Sequence, residues 1–445
     1  MIKRIFYFSL LLSLGLEAQE KATVLDLQGA IEYGMANNPT MQNASLEIQK
    51  AHKERWATIA IGLPQIIASG SYQNFLELPV SLIPAQFFGG KEGEFAEVQF
   101  GTTQNMVGSV QLNQLLFDGS YIVGVQASKI FLEISEIGYE KAGLEVRKAI
   151  VDAYGTVLLA RENVTILAKN KANLQKTLEE TKKIVANGFA EEENAEQLAL
   201  TLSRLDTQLK YANNLKIITL DMLKWILGMP EEESLALEQS LEELLALKML
   251  DTGSPNELNI ENNVDLKLAE NNRESETLLY RYEKSKGLPR LSAFLNGTYT
   301  GNSNEFSFTD SNQKWFGSSL LGLNLQIPIF SSLMRSANNQ KAKLAVEQAE
   351  NQLTDTRNRL LIELEMTLND LNLALKTYAT SKEDLALAER IEQKNKIKFL
   401  EGISSSFELR QAQQQLYSIQ NQYLQSMKAV IDAKTKLEIL TNTPK

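Results

Sequence analysis

The chain has 445 residues, is 43% hydrophobic, and contains only 9 prolines and 24 glycines, a composition that favours long helices. Its formal charge of −10 argues against a nucleic-acid partner. It has no cysteine, which excludes disulfides, cysteine-held metals and a lipid anchor through an N-terminal Cys.

Residues 1–19 read as a secretory signal peptide. Lys3 and Arg4 precede the apolar run Ile5 to Leu16, and Ala18 sits near the expected cleavage point. That run is about 12 residues long, too short to cross a bilayer, and no later apolar run is long enough. The first repeat is expected over 20–227. It begins with a short helix that breaks at Asn38-Pro39 and ends at Gly62-Leu63-Pro64. This helix carries the only histidine, His52, which has no ligand-type neighbours that would make it a metal or catalytic centre.

Over 65–117 the hydrophobic period changes to two, as Val110 and Leu112 alternate with Gln111 and Asn113. This predicts a strand pair. Tyr72 and Phe75 precede its loop and Phe100 follows it. A helical hairpin is predicted over 119–227, capped by Asp118 and turning at Asn187-Gly188-Phe189-Ala190, with Glu191, Glu192 and Glu193 opening the returning helix. Residues 228–255 are rich in Glu and Leu and read as an acidic equatorial collar or linker.

The second repeat is expected over 256–445, with another short helix and a strand pair over 290–330. Leu291, Ala293, Leu295 and Tyr299 alternate with Ser292, Asn296 and Thr298. Trp315, Leu321, Leu323, Leu325, Ile327 and Ile329 alternate with Ser318, Asn324 and Gln326. One apolar and one polar face suit either a half-buried soluble sheet or a membrane barrel with a wet lumen. Tyr299, Trp315 and Phe316 flank the second loop. Together with Tyr72, Phe75 and Phe100 they are the candidate membrane-interface aromatics. A second helical hairpin follows over 333–440. Leu333 to Glu401 contains no proline or glycine, and Leu360, Leu364, Thr367, Leu371, Ala374 and Tyr378 have coiled-coil spacing. The turn is Gly402-Ile403-Ser404-Ser405.

The chain is therefore a duplication. Gly188 recurs as Gly402 and Gln197 as Gln411, while Gly62-Leu63-Pro64 recurs as Gly287-Leu288-Pro289. In each copy the two shorter helices together match the long one in length, which predicts end-to-end stacking beside it. The signal peptide, the duplication and these helix lengths favour the membrane reading of the strands. No phosphate loop, nucleophile–base pair or metal spacing occurs, so no enzyme, catalytic residue, metal or cofactor is expected.

These paired elements, with Leu116-Phe117-Asp118-Gly119 and Ile329-Phe330 at the strand ends, resemble the outer membrane efflux protein family, the TolC-like channels. The resemblance implies a mainly helical fold with a membrane β part. Duplicated long hairpins would form a periplasmic tunnel, and four strands per chain would enter a shared twelve-stranded barrel of a homotrimer in the outer membrane of a Gram-negative bacterium. Its implied function is a passive conduit of a tripartite efflux or type I secretion system. The tips Gly188, Phe189, Ala190, Gly402, Ile403, Ser404 and Ser405 would dock a periplasmic adaptor (membrane fusion) protein and, through it, an inner-membrane pump.

The family's entrance residues fall on Glu408 and Gln411, with Glu193 and Asn194 on the neighbouring tip. Its hydrogen-bonded lock falls on Phe399 and Ser404, and Phe399 cannot donate a hydrogen bond. The alternative is a periplasmic adaptor-like or structural coiled-coil protein of the cell envelope.

Overall fold

The computed structural model describes residues 23–250 and 259–442. The signal peptide and the last residues of the collar lie outside the described residues.

In chain order the elements begin with β1 (Thr23–Leu25), α1 (Leu27–Asn37) and α2 (Pro39–Ala60). The Oδ1 of Asp26 caps α1 by accepting from the Gly29 amide at 2.7 Å. At the Asn38-Pro39 break, Oδ1 of Asn38 accepts from the Thr40 amide at 2.7 Å, so the two helices are joined by one polar hinge residue. Next come β2 (Gln65–Asn74), β3 (Val80–Pro84), β4 (Phe95–Gln99) and β5 (Gln104–Asp118). The first long hairpin follows as α3 (Gly119–Ala186) and α4 (Glu192–Leu227). Then β6 (Leu235–Leu237), α5 (Leu241–Leu250), α6 (Val264–Ser285), β7 (Arg290–Ser303) and β8 (Trp315–Gln326) precede the second hairpin, α7 (Met334–Leu400) and α8 (Ser406–Leu440).

Two of the sequence expectations need correction. The span 65–117 holds four strands, not two. β3 and β4 form a separate antiparallel sheet, because Pro79, Pro84, Gly89 and Gly93 interrupt any continuous long strand. Gly89 and Gly93 have φ of 82° and 88°, the left-handed region that glycine enters freely. β8 also ends at Gln326, short of 330, since Pro328 has no amide to donate to a ladder. Ile327 and Ile329 therefore lie outside the strand.

The chain divides into two units. One comprises the described residues up to Leu46, Ile137–Lys267 and Asp355 onward. Its core gathers Ile150, Tyr154 and Leu158 of α3, Leu223 and Leu227 of α4, Leu244 of α5, and Met427 and Ile431 of α8. β1 and β6 pair in parallel, Thr23 opposite Leu235, beside this core. The guanidinium of Arg161 donates to the Leu237 carbonyl at 3.0 Å and also reaches that of Gln239, fixing the collar to α3. Leu241 and Leu245 of α5 are buried, and Nζ of Lys248 meets Glu438 of α8 at 2.6 Å, both side chains nearly out of solvent. The α7 seam is buried or half-buried at all six predicted positions, with Leu360, Thr367 and Ala374 fully buried. The same spacing continues through Ser381 and Ala388 to Phe399, each of them buried.

The other unit comprises Glu47–Glu136 and Leu268–Thr354. Its sheet has the order β2-β5-β7-β8, antiparallel throughout, with one bulge between Leu115 and Phe117. Gly62, the first repeated glycine, lies under Tyr121, where a Cβ would come within 2.4 Å of the ring. The Tyr121 hydroxyl donates to the Ile59 carbonyl at 3.0 Å, so the end of α2 is held to the start of α3. Among the described residues no helix is long and apolar enough to cross a membrane.

Candidate functional site

The first unit carries both helix tips. α3 ends because Gly188 takes φ 78°, so that the Gly188 and Phe189 amides return to the carbonyls of Val185 and Ile184 at 2.9 and 3.1 Å. Phe189 is 84% exposed, and Ala190 leads into the Glu191 N-cap of α4. The second tip repeats this geometry. Gly402 has φ 73°, and the Gly402 and Ile403 amides return to Phe399 and Lys398 at 3.1 and 2.8 Å. Ile403 is 71% exposed.

Ser405 then opens α8 with a reciprocal cap. Its hydroxyl accepts from the Glu408 amide at 3.3 Å, while Oε2 of Glu408 accepts from the Ser405 amide at 3.1 Å. The Ser404 hydroxyl donates to the same Oε2 at 2.6 Å. Glu408 is exposed, and these hydrogen bonds, the Ser404 hydroxyl first, hold its carboxyl below the usual glutamate range.

The tips are tied together. The Ser406 hydroxyl donates to Oε1 of Gln197 at 3.2 Å, and Nε2 of Gln197 donates to Glu193 at 2.7 Å. Beneath them Phe399 and Leu409 pack with Leu174, Leu178, Leu198 and Leu205. Phe399 is therefore a core residue of the joined tips. Glu193, Glu408 and Gln411 are exposed, and Asn194 is half-buried. Phe407, exposed at the second tip with the Arg410 guanidinium 5.5 Å from its ring, was not singled out in the sequence. The pattern Ser405-x-x-Glu408 was available there as a signal for the reciprocal cap.

The second unit carries the sheet, and its register sorts the strands into two faces. On one lie the rows Ile66–Leu112–Leu295–Leu321, Ala68–Val110–Gly297–Ser319 and Gly70–Gly108–Tyr299–Gly317. The opposite face carries Ser69–Ser109–Thr298–Ser318 and Ile67–Gln111–Asn296–Leu320. The hydroxyls of Ser69 and Ser109 lie 2.8 Å apart, and Asn105 donates to Asn302 at 2.7 Å. In these rows the first face is apolar or small and the second mostly amide and hydroxyl; Gln104 and Gln114, toward the strand ends, share the first face.

Of the six expected interface aromatics, Tyr72, Tyr299 and Trp315 lie on the apolar face by register. Tyr72 packs edge-on against Phe306 and Phe308, and Trp315 packs against Phe308, at ring separations of 5.9–6.2 Å. Phe306 and Phe308 are the residues the sequence reading missed, and their alternate spacing in the β7–β8 loop was the available signal. Phe75 and Phe100 are exposed beside the β3–β4 segment. Phe316 needs correction. It pairs with Thr300 and shares the parity of Ser318 and Asn324, so it belongs to the polar face.

The duplicated long helical hairpins thus accompany a four-stranded sheet that is mostly apolar on one face and unpaired at both edges. The model of the outer membrane efflux protein family matches residues 31–218 and 257–443, and the chain belongs to that family. The family is one of channels, not enzymes.

Solved structures share the fold. The outer membrane protein VceC of Vibrio cholerae is 14% identical, with TM-score 0.70 over 93% of this chain and 95% of that one. The CmeC outer membrane channel of Campylobacter jejuni is 18% identical, with TM-score 0.70 over 94% and 85%. The MtrE outer membrane channel of Neisseria gonorrhoeae, in its open state, is 17% identical, with TM-score 0.66 over 94% and 91%. No curated protein matches the chain in sequence.

Proposed function

We propose that three copies close a shared twelve-stranded barrel and form the outer membrane conduit of a tripartite efflux or type I secretion system. The observation that carries this reading is the open sheet. β2 and β8 each have one unpaired edge, and an open edge in lipid leaves backbone amides and carbonyls unpaired at several kcal/mol each. A second observation supports association of copies. Tyr211, Leu215, Ile218, Met222 and Trp225 make an exposed apolar stripe of helical spacing on α4, beside the buried stripe Leu205, Ala212, Thr219 and Leu223. Export would depend on a leader in residues 1–19.

The tips are the proposed docking surface for an adaptor, with Phe189, Ile403 and Phe407 as exposed apolar contacts around Gly188, Ala190, Gly402, Ser404 and Ser405. Glu408, Gln411, Glu193 and Asn194 would line the entrance, where three-fold symmetry brings the carboxylates together and favours cations. Glu408→Gln separates this role from capping, because Gln also serves at that position of the reciprocal cap. In planar bilayers the purified wild type should conduct in steps and prefer cations, with block by a trivalent cation. Glu408→Gln should weaken both preference and block with α8 intact. Absence of any conductance would sink the channel reading; unchanged selectivity and block would remove Glu408 from the entrance.

A further inference from the structure

Across all four strands of the sheet the only charged residues are Asp118 and Arg290. They face each other at the end of the β5–β7 ladder, with Nε of Arg290 3.5 Å from Asp118 Oδ2. Every other position of the polar face is uncharged. Its amides and hydroxyls bond to one another: Ser69 to Ser109, Asn105 to Asn302, and Gln111 to Asn113 at 2.8 Å. Apolar side chains interrupt this lining at Ile67, Phe316 and Leu320 on the outer strands, and at Val107, Leu115 and Phe294 on the inner ones, where the Phe294 ring covers Gly322.

The middle row is Ile67–Gln111–Asn296–Leu320. Asn296 lies six residues from Arg290 along β7 and six from Asn302, roughly 20 Å each way. At physiological salt the Debye length is about 8 Å, so neither the Asp118–Arg290 pair nor the loop charges reach this row effectively.

We infer that the barrel interior is an electrically neutral, amide- and hydroxyl-lined passage that does not sort solutes by charge. It suits amphiphilic solutes of either sign, and any charge discrimination is made elsewhere on the conduit. This inference rests on the channel reading above, which makes the polar face the lumen.

The absence of cysteine makes the local potential measurable. Asn296→Cys and Leu295→Cys are introduced singly into the full chain, and the protein is reconstituted in vesicles. Each is reacted with a cationic and an anionic methanethiosulfonate of similar size. For Asn296→Cys the ratio of the two rates should fall within about threefold of that for a small free thiol, as a residual potential near half a kT requires. A ratio displaced further in either direction overturns the inference. Gln111→Cys, in the same row, repeats the measurement if Asn296→Cys does not assemble. Leu295→Cys should resist both charged reagents. If Leu295→Cys reacts with them and Asn296→Cys does not, the face assignment behind the channel reading fails instead.

Discussion

Leu320 and Leu321 are adjacent and chemically identical, yet the register puts them on opposite faces at the middle of β8. Leu321 stands in the apolar row with Leu295, and Leu320 stands in the polar row with Asn296. Leu321 is 75% and Leu320 59% exposed in a single chain, so neither is a core residue there. An arginine facing lipid near the bilayer midplane costs about 2–4 kcal/mol, whereas one facing a wet lumen costs far less. At 1.4 kcal/mol per tenfold, Leu321→Arg should disfavour insertion by roughly 30- to 700-fold per chain, and a trimer carries the change three times. Leu320→Arg should assemble at close to wild-type levels. The assay is the amount of heat-modifiable oligomer in isolated outer membranes on unboiled gels. Equal assembly of both variants, or equal loss, would refute the face assignment. A soluble sheet with two wetted faces would tolerate both within about 0.5 kcal/mol.

At the second tip, Gly402→Val should strain the left-handed backbone by about 1–2 kcal/mol, while Gly402→Asn should be tolerated, as read by protease cleavage between α7 and α8. Ser405→Ala should cost about 1 kcal/mol of local stability, seen as faster hydrogen exchange over Ser406–Leu409. The lowered pKa of Glu408 makes its contribution fully present above the ordinary glutamate range and lost as pH falls through the lower, folded value. Protection factors at these amides, corrected for the intrinsic pH dependence of exchange, should therefore fall in acid, and less so in Glu408→Gln. Lys248→Met leaves Glu438 buried without its 2.6 Å partner and should cost about 3 kcal/mol by denaturant unfolding of the first unit. Adding Glu438→Leu should recover most of that loss.

The fold was legible where a local rule decided it. A run of helix formers without glycine or proline could only be a long helix, and Gly188 and Gly402 mark turns because the left-handed conformation needs them. The α7 seam followed from spacing alone, since burial in a helix pair repeats with that period. Period two distinguished the two faces of β7 and β8, but it could not supply the pairing that places Phe316 beside Thr300. The β3–β4 hairpin was missed because its prolines and glycines read as loop, although they allow short strands on either side. Long-range pairs were out of reach for a different reason. Lys428 meets Asp152 across 276 positions, and Lys248 meets Glu438 across 190. On helices with many acids and bases, no local signal selects one partner. The tie from Ser406 to Gln197 is of the same kind: the resemblance implied neighbouring tips, but no local signal selected this pair.

The central claim is that the four-stranded sheet, open at β2 and β8, is closed by further copies of the same chain. Native mass measurement of the protein extracted from outer membranes in mild detergent tests it most directly. Three chains per particle, falling to one only on heating, is the predicted result. A conducting particle containing a single chain or a pair would contradict it.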